Sequence, residues 1–212
     1  MASAVQVPTR VDRRKERTRS ALIGAAQRFL SEGRTTVSIQ EITDAADVGF
    51  GSFYNHFESK EALFEAAINS TLQAYAVLRD ALVAGYDDPA EVFSVSFRMT
   101  GRLQRQMPEL VRVLLHEGVR ILSRDEGLAP RARNDIAAAA EAGRFDVPDP
   151  QLALMAAGGA LLGLLQLLEE NPDLDAGERS DAMTRQVLRM FGMSPAEAAE
   201  LVARDLPPQP DL

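Results

Sequence analysis

The chain has 212 residues, 23 Lys and Arg against 31 Asp and Glu, a formal net charge of −8, and no cysteine. Its 46% hydrophobic and 25% charged residues fit an ordinary globular chain, and its length fits one domain or two small ones sharing a core. The missing cysteine excludes a disulfide framework, a thiolate nucleophile and any cysteine-ligated metal or iron–sulfur site. The acidic balance argues, taken whole, against a nucleic-acid partner.

Helical periodicity dominates, and no strand of convincing alternation is found. Leu22, Ala25, Ala26, Phe29 and Leu30 predict a first helix from about Asp12 to Ser31, with Gly33 after it. Ser38 and Glu41 form a capping box opening a short helix to about Ala46. Asp47, Val48 and Gly49 make a tight turn, and a second short helix runs through Phe53 to Phe57. Ser59 caps a long helix carrying Phe64, Ile68, Leu72, Tyr75 and Leu82 and ending near Gly85. Further helices are predicted from Pro89 to Gln106, Pro108 to Leu122, Pro130 to Ala142, after Pro150, from Asp181 to Phe191, and from Ser194 to Arg204. The prolines suit first-turn positions, where the missing N–H costs nothing. Leu206 to Pro210 reads as a frayed tail.

The charge is unevenly spread. Arg10, Arg13, Arg14, Lys15, Arg17 and Arg19 face only Asp12 and Glu16 in the same stretch, and residues 1–65 are neutral overall. The whole excess of −8 therefore falls in residues 66–212. Such asymmetry marks either a solvated charge run or a polyanion-binding end. Residues 1–9 lack a signal-peptide core, so a cytoplasmic protein is expected. The apolar stretch Leu152–Leu168 is at the lower limit of bilayer-spanning length, is flanked by acidic residues, and reads as a helix buried in protein, not a membrane span.

Two short helices joined by a turn after a longer amphipathic one have the layout of a helix-turn-helix unit. Phe53 and Phe57 would face the core, leaving Phe50, Ser52, Tyr54, Asn55 and His56 to point elsewhere. Gly51 has no Cβ, so a phosphate backbone can approach closely, and Tyr54, His56 and Lys60 supply further donors.

The stretch from Thr36 to Phe64, ending in Phe53-Tyr54-Asn55-His56-Phe57-Glu58-Ser59-Lys60-Glu61-Ala62-Leu63-Phe64, resembles the DNA-binding signature of the TetR/AcrR family of transcriptional regulators. It covers about the first quarter of the chain. The resemblance implies an all-α fold. A three-helix helix-turn-helix domain (10–58) would precede a larger helical ligand-binding and dimerisation domain (59–205). It further implies that Ser38 touches a phosphate, that Gly49, Phe50, Gly51, Ser52 and Asn55 approach base edges, and that Tyr54, His56 and Lys60 contact phosphates.

Two positions depart from the family pattern. Phe50 stands where many relatives carry Lys or another polar residue; it either packs on a thymine methyl or folds back onto the first helix. Asp47 stands at a turn position usually held by Gly, and Asp tolerates the left-handed conformation better than most residues. Cations at a helix N-terminus oppose the macrodipole, so phosphate attraction accounts better for Arg14 and Arg17, and the segment before Asp12 would reach along the minor groove.

The resemblance also implies a cavity among the central helices and a homodimer through the helices Leu152–Leu168 and Asp181–Phe191. The first of these is apolar almost all round, so one face should meet a partner unless it is buried within one subunit. Arg98 and Arg102, with His116 and Arg120 on the next helix, form stripes that either line the cavity for an anionic effector or are solvated faces. Phe93, Phe97, Met99 and Met107 would supply the apolar walls. No cofactor, metal site or catalytic residue is expected, because no nucleophile–base pair, phosphate loop or metal spacing is present. The function implied is a ligand-responsive repressor that binds a pseudo-palindromic double-stranded DNA operator as a homodimer and is released by a small-molecule effector.

Overall fold

The computed structural model describes residues 9–34 and 36–208, so the proposed minor-groove arm before Asp12 lies largely outside the described residues. Ten α-helices follow one another, and no strand occurs among the described residues. The chain divides into two compact units, the first ending at Thr71 and the second beginning at Leu72.

In the first unit, α1 (Arg10–Ser31) starts two residues earlier than its apolar stripe requires. Thr9 and Asp12 form a capping box there that the apolar pattern does not show. Its buried stripe is Leu22, Ala25, Ala26, Phe29 and Leu30. Helix α2 (Ile39–Ala45) opens on the Ser38–Glu41 capping box. The turn to α3 (Phe50–Phe53) places Asp47 at φ 53°. Helix α3 begins three residues before the sequence-based start and is a single turn, and residues 54–56 continue it only as a turn.

Helix α4 (Lys60–Val83) starts after Ser59, whose hydroxyl accepts from Ala62 N–H at 3.1 Å. The unit boundary falls within this helix and not before it. Its N-terminal half is tied to the first unit by Lys60 Nζ donating to the Val37 carbonyl (3.1 Å) and by Gln27 Nε2 donating to Thr71 (3.1 Å).

The second unit is built around α5 (Pro89–Gln106), which packs against α6 (Pro108–Glu117), α7 (Leu128–Glu141), α8 (Pro150–Glu170), α9 (Ala176–Met190) and α10 (Pro195–Ala203). Caps set the boundaries: Asp88, Asp149, Asp175 and Ser194 each accept from first-turn N–H groups. The continuous helix expected from Pro108 to Leu122 breaks at Gly118 (φ 55°) into a 3₁₀ segment, Gly118–Ser123. Four rings, Phe93, Phe97, Phe145 and Phe191, pack with centroids 5.1 to 6.0 Å apart and fill the core between α5, α7, α8 and α9.

Helix α8 is long and apolar enough to cross a membrane by length and composition alone. It is not buried all round. Leu154, Leu164, Leu165 and Leu168 are buried, whereas Leu152 (68% exposed), Met155, Gly159, Gly163 and Leu167 (42%) leave an apolar face open.

Candidate nucleic-acid interface and interior cavity

The recognition segment is fixed from inside by its aromatic residues. Phe53 is fully buried and Phe57 nearly so, and Arg19 lies over the Phe57 ring at 5.2 Å. These anchors leave Gly49, Phe50, Gly51, Tyr54 and Asn55 exposed, with Ser52 and His56 half-buried. Phe50 does not fold back onto α1: it is 47% exposed. Arg28 donates from Nη2 to the Ala45 carbonyl at 2.5 Å, capping the end of α2 and fixing it to α1.

The N-terminal turns of α1 lie beside this segment. Val11, Arg14, Lys15 and Thr18 together with Ser52, Asn55 and His56 line an open groove of ≈ 480 Å³. Arg17 borders an adjoining hollow with Arg10, Arg13 and Arg14. Lys15 and Thr18 were not among the sequence candidates, although the i, i+3, i+4, i+7 spacing from Val11 puts them on one face.

Ser38 is exposed, but its hydroxyl and N–H are both engaged with Glu41 (2.9 and 2.8 Å), so its first role is to cap. Those bonds hold the Glu41 carboxyl below its ordinary range. Lys60 spends one donor on Val37 and keeps the other two. Burial, then the nearby charges of Lys15 and Arg19, hold the His56 imidazole below its ordinary pKa. At neutral pH it is therefore an uncharged donor and not a cation, and its Nδ1 finds no partner among the described residues.

In the second unit, Phe93 and Phe97 line two adjoining lobes, each ≈ 80 Å³. One lobe is walled by Leu114, Ile121, Leu122, Leu154, Gly158, Leu165 and other apolar groups. The other is closed by Arg79, Ser96, Arg131 and Asp135, and Thr100 belongs to both. At the polar end Arg79 pairs with Asp135 and donates from Nε to Ser96 at 2.8 Å. Asp80 joins Arg79 (3.0 Å) to Arg131 (2.6 Å). Burial outweighs the pull of Arg79 and holds the Asp135 carboxyl up at about 6. Tyr75, hydrogen-bonded to Thr100 at 3.2 Å, is pushed by burial to about 12.

The other expected cavity residues lie elsewhere. Arg98 is buried, donating to Asp181 (2.7 Å) and the Arg204 carbonyl (2.8 Å), and Arg102 shares Asp181 at 2.8 Å. Arg98 thus binds α5 to α9 and to the end of α10, and Arg102 binds α5 to α9; neither lines the cavity. Met99 packs with Val83 and Val95. Met107 marks the α5–α6 break. His116 and Arg120 are exposed, so their stripe is a solvated face. The polar groups that do line the cavity were missed. The available signal was a charged residue, Arg79, on the apolar stripe of Ile68, Leu72, Tyr75 and Val83.

Chemically, the cavity suits a small molecule with an apolar body and a hydrogen-bonding end. Among the described residues, no group of three or more His, Asp or Glu is placed to hold a metal.

Residues 22–67 match the family described as bacterial regulatory proteins, tetR family, and residues 88–204 match the Tetracyclin repressor-like, C-terminal domain. The chain is 31% identical to the HTH-type transcriptional regulator TcmR of Streptomyces glaucescens, over 55% of this chain and 52% of TcmR, so it spans about half the length of that relative. It is 26% identical to the probable acrEF/envCD operon repressor of Escherichia coli K12, over 82% of this chain and 87% of the other. Among solved structures, RolR in complex with the ligand resorcinol superposes with a TM-score of 0.69 and 32% identity, over 93% of this chain and 99% of RolR.

Proposed function

Since the chain belongs to the TetR family of bacterial regulatory proteins, whose members are DNA-binding transcription regulators and not enzymes, we propose that it is an effector-released repressor acting in the cytoplasm as a homodimer. The observation that carries this is the groove in which Arg14 and Lys15 of α1 meet Ser52, Asn55 and His56 of the recognition segment. Cationic donors fix register on phosphates while short polar side chains reach base edges. In this reading Gly49, Gly51, Ser52 and Asn55 approach the bases, and Ser38, Tyr54, His56, Lys60, Arg14 and Arg17 serve the backbone. Two copies would place recognition segments in successive major grooves, about 34–36 Å apart or a multiple of it. The open apolar face of α8, with exposed Met190 on α9, supports a dimer through these two helices.

The effector is a small ring compound with one or two hydroxyls. The cavity supports this by its size and by its single polar end at Arg79, Arg131 and Asp135, and RolR, a relative, is known as a resorcinol complex. Such a ligand releases DNA only by binding better to the state that does not hold the operator. Binding to the DNA upstream of the protein's own gene, titrated with salt and then with resorcinol, tests the reading. A sequence-selective complex weakened by salt and dissolved by resorcinol is expected. Arg14→Ala should weaken all sequences alike and lower the salt slope by about one. Absence of any sequence-selective complex would sink it.

A further inference from the structure

The four aromatic side chains of the recognition segment form a continuous ladder. Phe57 and Phe53, both buried, lie 6.1 Å apart; Tyr54 sets its ring against Phe53 at 5.3 Å and 78°; Phe50 sets its ring against Tyr54 at 6.0 Å and 69°. The outer two rings are 47% and 57% exposed, yet Tyr54 is braced edge-to-face on Phe53, which is rooted in the core, and Phe50 is braced edge-to-face on Tyr54. Burial does not account for them, because their exposed halves contribute nothing to the core. They stand in a segment whose other outward groups suit a polyanion, two residues from Ser52 in the groove lined by Arg14 and Lys15. A duplex offers a protein few apolar features outside its base stack. On a base edge in the major groove, that feature is the C5-methyl of thymine.

We propose that Phe50, held in place by Tyr54, reads a thymine methyl group in each half-site of the operator. This rests on the operator-binding reading and adds which base is read and by which group. Tyr54 then has two tasks, its ring bracing Phe50 and its hydroxyl free for a phosphate. The charge environment favours DNA over a protein partner, since the same surface carries Arg10, Arg13, Arg14, Lys15 and Arg17 around one exposed aliphatic side chain, Val11.

The test begins with selection of binding duplexes from a random pool by the full-length protein. Each thymine of the selected operator is then replaced singly by deoxyuridine, which deletes the methyl and leaves pairing intact. One thymine per half-site should show about fourfold weaker binding when replaced, the worth of one buried methylene-sized group, and replacement in both half-sites should compound to about fifteenfold. Phe50→Ala should bind the thymine operator as weakly as the unaltered protein binds the doubly substituted one. It should show no further deoxyuridine penalty and keep the same salt slope, because no phosphate contact is lost. Phe50→Leu should retain part of the methyl effect, and unchanged helicity in both variants excludes misfolding.

A selected operator indifferent to every thymine methyl, or an equal penalty in Phe50→Ala, overturns the proposal while leaving operator binding intact. A Phe50→Ala variant that binds DNA normally but loses a protein partner overturns it likewise. A pool that never converges overturns both readings.

Discussion

Gly101 and Gly158 both sit inside helices, where replacing glycine by alanine ordinarily adds about 1 kcal/mol to stability. Packing reverses that expectation for Gly101. A Cβ there would lie 2.5 Å from Ser180 Oγ, 3.0 Å from Ser180 Cβ and 3.1 Å from Leu164 Cδ2, against an ordinary contact of 3.4 Å or more. Neither neighbour can yield. Ser180 is fully buried with its hydroxyl donating to the Ala176 carbonyl at 2.6 Å, and Leu164 is 1% exposed. Helix α9 must therefore move off α5 by nearly an ångström. Overpacking of this kind costs ~1–3 kcal/mol. Set against the helix gain, Gly101→Ala should lose up to ~2 kcal/mol.

A Cβ on Gly158 would overlap Leu122 Cδ2 and lie 2.7 Å from its Cδ1, but Leu122 borders the cavity and can turn into it. Gly158→Ala should therefore stay within about 1 kcal/mol of the parent while shrinking the apolar cavity lobe. Urea unfolding followed by far-ultraviolet circular dichroism, compared at equal m, measures both. A raised midpoint for Gly101→Ala would refute the close-packing argument. A larger loss for Gly158→Ala than for Gly101→Ala would refute the cavity as the space that absorbs the clash.

Three further outcomes are expected. Ser38→Ala should destabilise the first unit by ~1 kcal/mol through loss of the cap, and Ser38→Asn should restore most of it, both read from thermal midpoints. Asp47, at φ 53°, should tolerate Gly but lose ~1–2 kcal/mol on replacement by Val, whose branched side chain resists the left-handed region. The raised pKa of Asp135 means the folded state binds its proton more tightly than the unfolded chain. Its contribution is then fullest below about pH 4, the unfolded value, and shrinks as pH rises to about 6. The stability of the parent relative to Asp135→Asn should fall across that window and level off above it; a rise there would contradict the burial argument.

The helix-turn-helix unit was legible because it rests on short-range chemistry. The Ser38–Glu41 box spans three residues, and Phe53 and Phe57 are four apart. The left-handed turn at Asp47 was readable for the same reason. Even here the start of α3 was misplaced, since a single turn carries too little periodicity to locate its ends.

The second unit was legible as helices but not as a site. The sequence by itself determined the element order, the caps at Ser38 and Ser59, the basic start of α1 and the residue types carried by the recognition segment. Only the tertiary structure decided which arginines are structural and which are open. Arg98 is committed to Asp181 and to the Arg204 carbonyl 106 residues away, whereas Arg79 and Asp135, 56 residues apart, meet at the cavity. Tertiary packing also left one face of α8 uncovered and turned Phe50 outward. Caps and turns are decided within a few residues by bonds that each segment makes with itself. The partner of a buried charge, and the face a helix leaves open, depend on helices brought together from distant parts of the chain.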